Sequence, residues 1–443
     1  MTQTTLHCSD FLVNSTQKNC MCHYWPNVAK IPPCDGFRCT IAPKTLTTLT
    51  NSIAQGYNKI TMTTVNLPTR IDDPINAAIL SVSEDRIQGF ESDPFQAIAR
   101  IAEIDCDIVL ERIRAMLAAG VIRRVRQTLM ATNLAQGSLI AWQVDNDRLD
   151  AAFDMMYNDD PFSGHVVIRT ADPATPGATY RLWTTLKVPQ GFSMTKHCDY
   201  LRERVSARAY LLMPAKALFV LGVGHVRRRG IAVGSMAEIT AEPHTTEVVE
   251  LSDLDWQVLT PLKREFEIDE ITRDPWRKRA AEAGVDFETF CAVAQSLNDR
   301  KVIGRFSTFL EHAKPDTEGE RQVTRYNGLF HWAVPAGREM EAGEQVGRFH
   351  IMTHAYWREG GPEFKNVNIM GVAHGMDKDL LLQHKAAMDR HLAAVGIPVL
   401  YTNVFWGGRS EIKPSEIAPD AYVAFCNANG LDPEAMKGPA LQV

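Results

Sequence analysis

The chain has 443 residues, 45% hydrophobic and 23% charged, an ordinary balance for a globular protein with room for two or three domains. A net charge of −6 offers no general attraction to nucleic acid or an anionic membrane, and no apolar run approaches the ~20 residues that span a bilayer. The first residues lack a basic region followed by an apolar one, so a cytoplasmic protein is expected.

Cys8, Cys20, Cys22, Cys34 and Cys39 crowd the start of the chain, where neither helix nor strand periodicity is visible. Their spacing does not match a zinc knuckle, so no metal site is assigned. Residues 1–61 are expected to be a disordered leader, or an extension upstream of a true start at Met62. Cys106, Cys198, Cys291 and Cys426 are scattered singly, as reduced thiols are.

From there the chain reads as one module written twice. An offset of 181 residues separates Asp93-Pro94 from Asp274-Pro275, and Val121-Ile122 from Val302-Ile303. In the first copy, Pro74–Leu80 predicts a short helix, and Asp93 caps a second with Pro94 in its first turn. Ile108, Val109, Ile113, Met116 and Leu117 share a face of a third helix, which Gly120 ends, and Val121–Val125 follows as a β-wing. A strand at Leu139, a helix near 147–157, strands over His165–Thr170 and Arg181–Val188, a helix near 195–207 and a strand over Ala217–Val223 follow in βαββαβ order.

The second copy runs from Asp253 to about Ile417, with a charged insertion at Lys314–Gln322. The expected fold class is α+β: a tandem repeat of a winged helix-turn-helix and a ferredoxin-like domain, forming an intrachain pseudo-dimer. The expected boundaries are a leader over 1–61, helix-turn-helix 62–135, ferredoxin-like domain and linker 136–250, helix-turn-helix 251–313, ferredoxin-like domain 314–420 and a tail 421–443. Whether the chain associates further is left open.

This layout, with Gly120-Val-Ile-Arg-Arg124 at the wing, resembles the Lrp/AsnC regulators. A recognition helix must approach phosphates, yet the stretch 103–117 offers Glu103, Asp105, Asp107 and Glu111 against Arg112 and Arg114. The second copy offers Glu282, Asp286, Glu288 and Asp299, so no nucleic-acid partner is expected. Gly222-Val-Gly224-His225 lacks the glycine spacing of a dinucleotide loop, and Arg227–Arg229 reads as a solvated charge run. His384 and His391 are expected on a helix surface.

Strand alternation gives the chemistry its geometry. His350, His354, Tyr356 and Arg358 share one face of a strand, His354 and Arg358 lying ~13 Å apart, a span that suits a large flat ligand. Asn368, Met370, Val372 and His374 share a face of the next. The first half repeats the pattern with His165 and Arg169, and Lys187 replaces the second histidine. Two cationic sets facing each other would suit a polycarboxylate.

Met352-Thr-His-Ala-Tyr-Trp-Arg358, Asn368-Ile-Met-Gly-Val-Ala-His-Gly375 and Leu400-Tyr-Thr-Asn-Val-Phe405 resemble the motifs of the sirohaem decarboxylase family, over roughly residues 62–417. Thr353-His354-Ala355 stands where that family has Ser-His-Cys, and Gly371-Val372 where it usually has Thr and Met. The resemblance implies a carboxy-lyase that removes carbon dioxide from two acetate side chains of sirohaem to give didecarboxysirohaem, in haem or related tetrapyrrole synthesis. It implies His354 and His374 as proton donors, Arg358, Arg169 and Lys187 as carboxylate clamps, and Tyr356, Asn368 and His165 as further substrate contacts. No cofactor is implied, because the iron belongs to the substrate. The alternatives are a DNA-binding regulator sensing a haem-like ligand and a tetrapyrrole carrier without catalysis.

Overall fold

This computed structural model describes residues 67–130, 134–222, 224–244, 249–311 and 323–441. The Cys-rich leader and the whole of the charged insertion at Lys314–Gln322 lie outside them. The described residues all fall within one unit, Val65–Val443.

The helix starts follow the local chemistry. Asp73 accepts from the Ile75 and Asn76 amides to start α1 (Pro74–Ser83). A two-residue strand, β1 (Ile87–Gln88), precedes α2 (Pro94–Ala102), which Asp93 caps through the Gln96 amide. Asp105 caps α3 (Cys106–Ala118), which ends as Gly120 turns to φ 72°. On α3, Val109, Ile113 and Met116 are buried as expected, whereas Ile108 is exposed.

β2 (Ile122–Leu129) is not a free wing, as the sequence pattern had implied. It pairs antiparallel with β8 (Ile303–Leu310) of the second copy, in the order β1-β8-β2. The helices α6 (Asp253–Leu262), α7 (Pro275–Glu282) and α8 (Phe287–Asp299) of that copy share one apolar core with α1–α3, built around Phe95, Trp276, Phe290 and Phe306. An isolated wing could not bury both faces, so joining the copies here removes two sheet edges and two apolar faces from water.

A second sheet has nine antiparallel strands. The first half contributes β3 (Ala135–Gln143), β4 (Ser163–Thr170), β5 (Leu182–Pro189), β6 (Ala209–Pro214) and β7 (Ala217–Leu221). The second contributes β9 (Tyr326–Ala333), β10 (Met352–Trp357), β11 (Ile369–Gly375) and β12 (Tyr401–Ile412). Their order is β6-β3-β5-β4-β12-β9-β11-β10-β7. The strand expected over 217–223 is β7, but it pairs with β10 of the other half, and a strand the sequence pattern did not announce, β6, completes its own half. β12 reciprocates, pairing first with β9 and then with β4. The edge strands β6 and β7 are separated only by Ala215 and Lys216, so the sheet closes on itself through the chain.

The helices α4 (Leu149–Asn158) and α5 (Met194–Val205) cover the outer face of the first half, and α9 (Glu339–Gly347) and α10 (Lys378–Ala394) that of the second. The tail, which carried no sequence signal, forms α11 (Pro419–Ala428) and packs Tyr422, Phe425 and Cys426 into the first-half core. The fold is mixed α/β with antiparallel sheets, and each half has the connectivity β-α-β-β-α-β. Among the described residues no helix is long and apolar enough to cross a membrane.

Candidate functional site

Alternation along β5, β9, β11 and β12 sends Trp183, Leu329, Met370 and Phe405 to the inner face of the closed sheet, where they form an apolar plug. Beyond the plug, the same face and the three-stranded sheet enclose a cavity of about 420 Å³, within the range of small-molecule sites. Both halves line it. His354, Tyr356, Arg358 and His374 come from the second half, His165, Arg169 and Lys187 from the first, and Arg123, Arg126 and Arg305 from β2 and β8.

A register shift between Met352 and His354 inserts Thr353 into β10 as a bulge. The bulge breaks strict alternation, so Thr353 reaches the same histidines that its neighbour His354 accompanies. Its buried hydroxyl donates to the Val372 carbonyl at 3.0 Å. With that proton committed, the oxygen accepts from His354 Nδ1 at 3.1 Å and from His374 Nδ1 at 3.3 Å. Asn327 closes the arrangement: its amide donates to His374 Nε2 at 3.1 Å, while its carbonyl oxygen accepts from Arg169 at 3.2 Å. These directions assign both histidines the Nδ1–H tautomer and leave His354 Nε2 to handle a proton in the cavity.

His225 was not singled out by the sequence pattern, yet it lines the cavity with its ring edge-on to His374 at 5.4 Å. Its Nδ1 lies 3.1 Å from the buried Glu84 carboxylate, which also accepts from the Val226 amide at 2.8 Å.

Burial, reinforced by Arg305 and Arg228, lowers the His354 pKa to about 3. Burial and Arg169 bring His165 to about 3 as well, and burial with Arg126 brings Lys187 to about 8. With its pKa held down in this way, His354 is a neutral base at neutral pH, and not the partly protonated acid that an ordinary histidine would be.

Seven of the expected site residues meet in this cavity, and two of the three expected clamps are engaged within the protein. Arg358 donates to the Met213 carbonyl and lies 4.4 Å from the Tyr356 ring centroid, so it ties β10 to β6 across the closed sheet. Arg169 is engaged by Asn327. Asn368 is outside the cavity: its amide binds the Val334 backbone and Glu339, because it precedes the strand and turns away. His350, also before its strand, bonds Ser235.

Three surface expectations are corrected too. Arg227 and Arg228 pair with the buried Asp85 carboxylate at 2.9 and 3.1 Å instead of forming a solvated run. His384 is buried against the sheet, while His391, partly buried, bonds Gln345. On the stretch 103–117, where the arginines were read as exposed, Arg112 binds Asp73 and the Pro68 carbonyl, and Arg114 binds the Ile271 carbonyl.

The fold and cavity define a mixed α/β protein with antiparallel sheets and a cationic, histidine-bearing site between two related halves. No protein-family model matches the sequence, and no curated protein matches it. The structure is similar to the crystal structure of the siroheme decarboxylase NirDL, with a TM-score of 0.56 and 17% identity over 80% of this chain and 97% of that one. A second crystal structure of NirDL, in complex with an iron-uroporphyrin III analogue, matches with a TM-score of 0.55 and 17% identity over 80% and 99%. At this identity the likeness is one of fold.

Proposed function

We propose that this chain is a sirohaem decarboxylase-like carboxy-lyase acting on the acetate side chains of a sirohaem-type tetrapyrrole. The observation that carries the reading is a single hydroxyl, on Thr353, that orients two histidines in a cation-lined cavity between the halves. The shared fold with NirDL supports it, as does the ligand in the second NirDL structure. We read the architecture as two helix-turn-helix and ferredoxin-like copies fused into an intrachain pseudo-dimer, the helical units having become a brace.

In this reading the ring acetate loses carbon dioxide as its carbon–carbon bond breaks, the electron pair passes into the macrocycle, and the side-chain carbon takes a proton to become methyl. The protein must supply that proton and hold the negatively charged substrate. Burial and Arg305 oppose the charged form of His354, so it does not carry the proton by itself. The arrival of carboxylates changes the sign of the local field and favours imidazolium, so substrate binding itself charges the donor. His374 accepts from the Asn327 amide and keeps its partner Thr353 in place. Decarboxylation of both acetates to didecarboxysirohaem is the expected end point.

Anaerobic incubation with sirohaem followed by mass spectrometry tests the proposal. The loss of one or two carbon dioxide masses is the expected result. Bound but unchanged sirohaem would leave a carrier.

A further inference from the structure

Three arginines of the three-stranded sheet are held differently from the other arginines that line the cavity. Arg358 and Arg169 are each committed to an acceptor of the protein, and Arg124 binds Glu265 at 3.2 Å and the Ile412 carbonyl at 2.9 Å. Among the described residues, the guanidinium groups of Arg123, Arg126 and Arg305 make no hydrogen bond or ion pair, and their Nε atoms are buried without an acceptor. Arg126 and Arg305 lie 5.3 and 6.0 Å from the centroid of the Phe309 ring, which gives them an apolar platform.

The neighbouring acids are in use. Asp85 holds Arg227, Arg228 and the Gly224 amide, Glu84 holds His225 and the Val226 amide, and Glu265 pairs with Arg124. Glu311 and Glu411 partly balance Arg123 through space. Burial opposes the charge on all three arginines. Guanidinium does not shed its proton at neutral pH, so groups held this way are most stable when an anion completes them.

We propose that Arg123, Arg126 and Arg305 form a carboxylate-binding subsite that selects a macrocycle by the number of carboxylates along its edge. The subsite is contributed by the strands that join the two helical units, so the brace also supplies substrate recognition. The macrocycle's identity rests on the decarboxylase reading, whereas the anion-binding chemistry does not.

Iron-uroporphyrin, with eight carboxylates, and protohaem, with two, are titrated against the full chain and an Arg126→Gln/Arg305→Gln variant. Wild type should prefer the octacarboxylate. The variant should lose about tenfold in affinity for it per arginine removed, with protohaem binding little changed and a weaker salt dependence. Arg126→Lys, which keeps the charge without the planar fork, should fall between, and it serves if the double variant does not fold.

An unchanged octacarboxylate affinity, or equal losses for both ligands, would overturn the subsite. Arginine-dependent binding of iron-uroporphyrin without carbon dioxide release from sirohaem would uphold the subsite and defeat the decarboxylase reading. Carbon dioxide release with affinities indifferent to these arginines would do the reverse.

Discussion

The two halves carry the same bulge at the same place in the same strand, and they fill it differently. In β10 the bulged residue before His354 is Thr353, while in β4 the register shifts between Ser163 and His165, and the residue there is Gly164. A Cβ on Gly164 would meet Ser415 Oγ and have to displace it, and glycine itself carries no hydroxyl that could orient the histidine of this half. His165 instead bonds Ser410 of β12 at 2.8 Å, and Lys187 stands on β5 where β11 has His374. The two halves thus give the cavity two walls of like geometry. In the proposed reaction one wall handles protons and the other supplies charge.

The largest test of that asymmetry is turnover. His354→Ala or His374→Ala should lower kcat by ~10²-fold or more, whereas His165→Ala should cost much less, measured by mass spectrometry of sirohaem turnover. Equal losses from the two halves would abolish the distinction.

A smaller effect is expected at the bulge itself. Thr353→Val should lower kcat by roughly tenfold with KM little altered, because it removes the hydroxyl that orients both rings without removing either ring. Thr353→Ser keeps the hydroxyl and should recover most of the loss. Nitrogen chemical shifts of the imidazoles would show the altered tautomers in the valine variant without any substrate.

Arg358→Ala should act chiefly on stability. It leaves the buried Met213 carbonyl without its donor, at a cost of about 1–3 kcal/mol, read from chemical denaturation. If sirohaem affinity falls with stability unchanged, Arg358 is a clamp after all.

The halves should agree in their response to acid. Unfolded histidine titrates near ~6.5, whereas folded His165 and His354 are held down to about 3, mainly by burial. Between these values the unfolded chain binds more protons, so stability is full above about 6.5 and falls as pH drops toward 3. His165→Gln and His354→Gln should each flatten that acid limb in denaturation midpoints. A flattening seen in only one would place the two rings in unlike environments.

The smallest expected effect is none. With Arg112 and Arg114 bound internally, the protein should not retard its own promoter DNA at ~0.15 M salt, where specific binders reach about 10⁻⁸ M or tighter. A nanomolar, salt-sensitive shift would restore the regulator reading.

Much of this was legible in the residue pattern. The caps Asp73, Asp93 and Asp105 act locally and were read correctly or fell beside the expected starts. The parity of His354, Tyr356, Met370, Val372 and His374 placed them together because strand geometry repeats every second residue. What escaped was set by distant pairing. The cavity-lining arginines of β2 looked like part of a wing because β2 finds its partner in β8, in the other half. Thr353 lay on the wrong parity until a bulge turned it, and Asn368 lay on the right parity but before the strand began. His225 sits in an irregular segment, where no period applies.

The exchange of β7 and the end of β12 between the halves bears on how such a chain could be divided. A cut in the connector near residue 230–244 would leave each fragment holding a strand that belongs to the other's sheet, β7 on one side and the second part of β12 on the other. Neither fragment could satisfy its own edge, and each would present a template only its counterpart completes. Division would therefore yield an obligate complementing pair, related as subunits of a heterodimer are, and not two autonomous proteins.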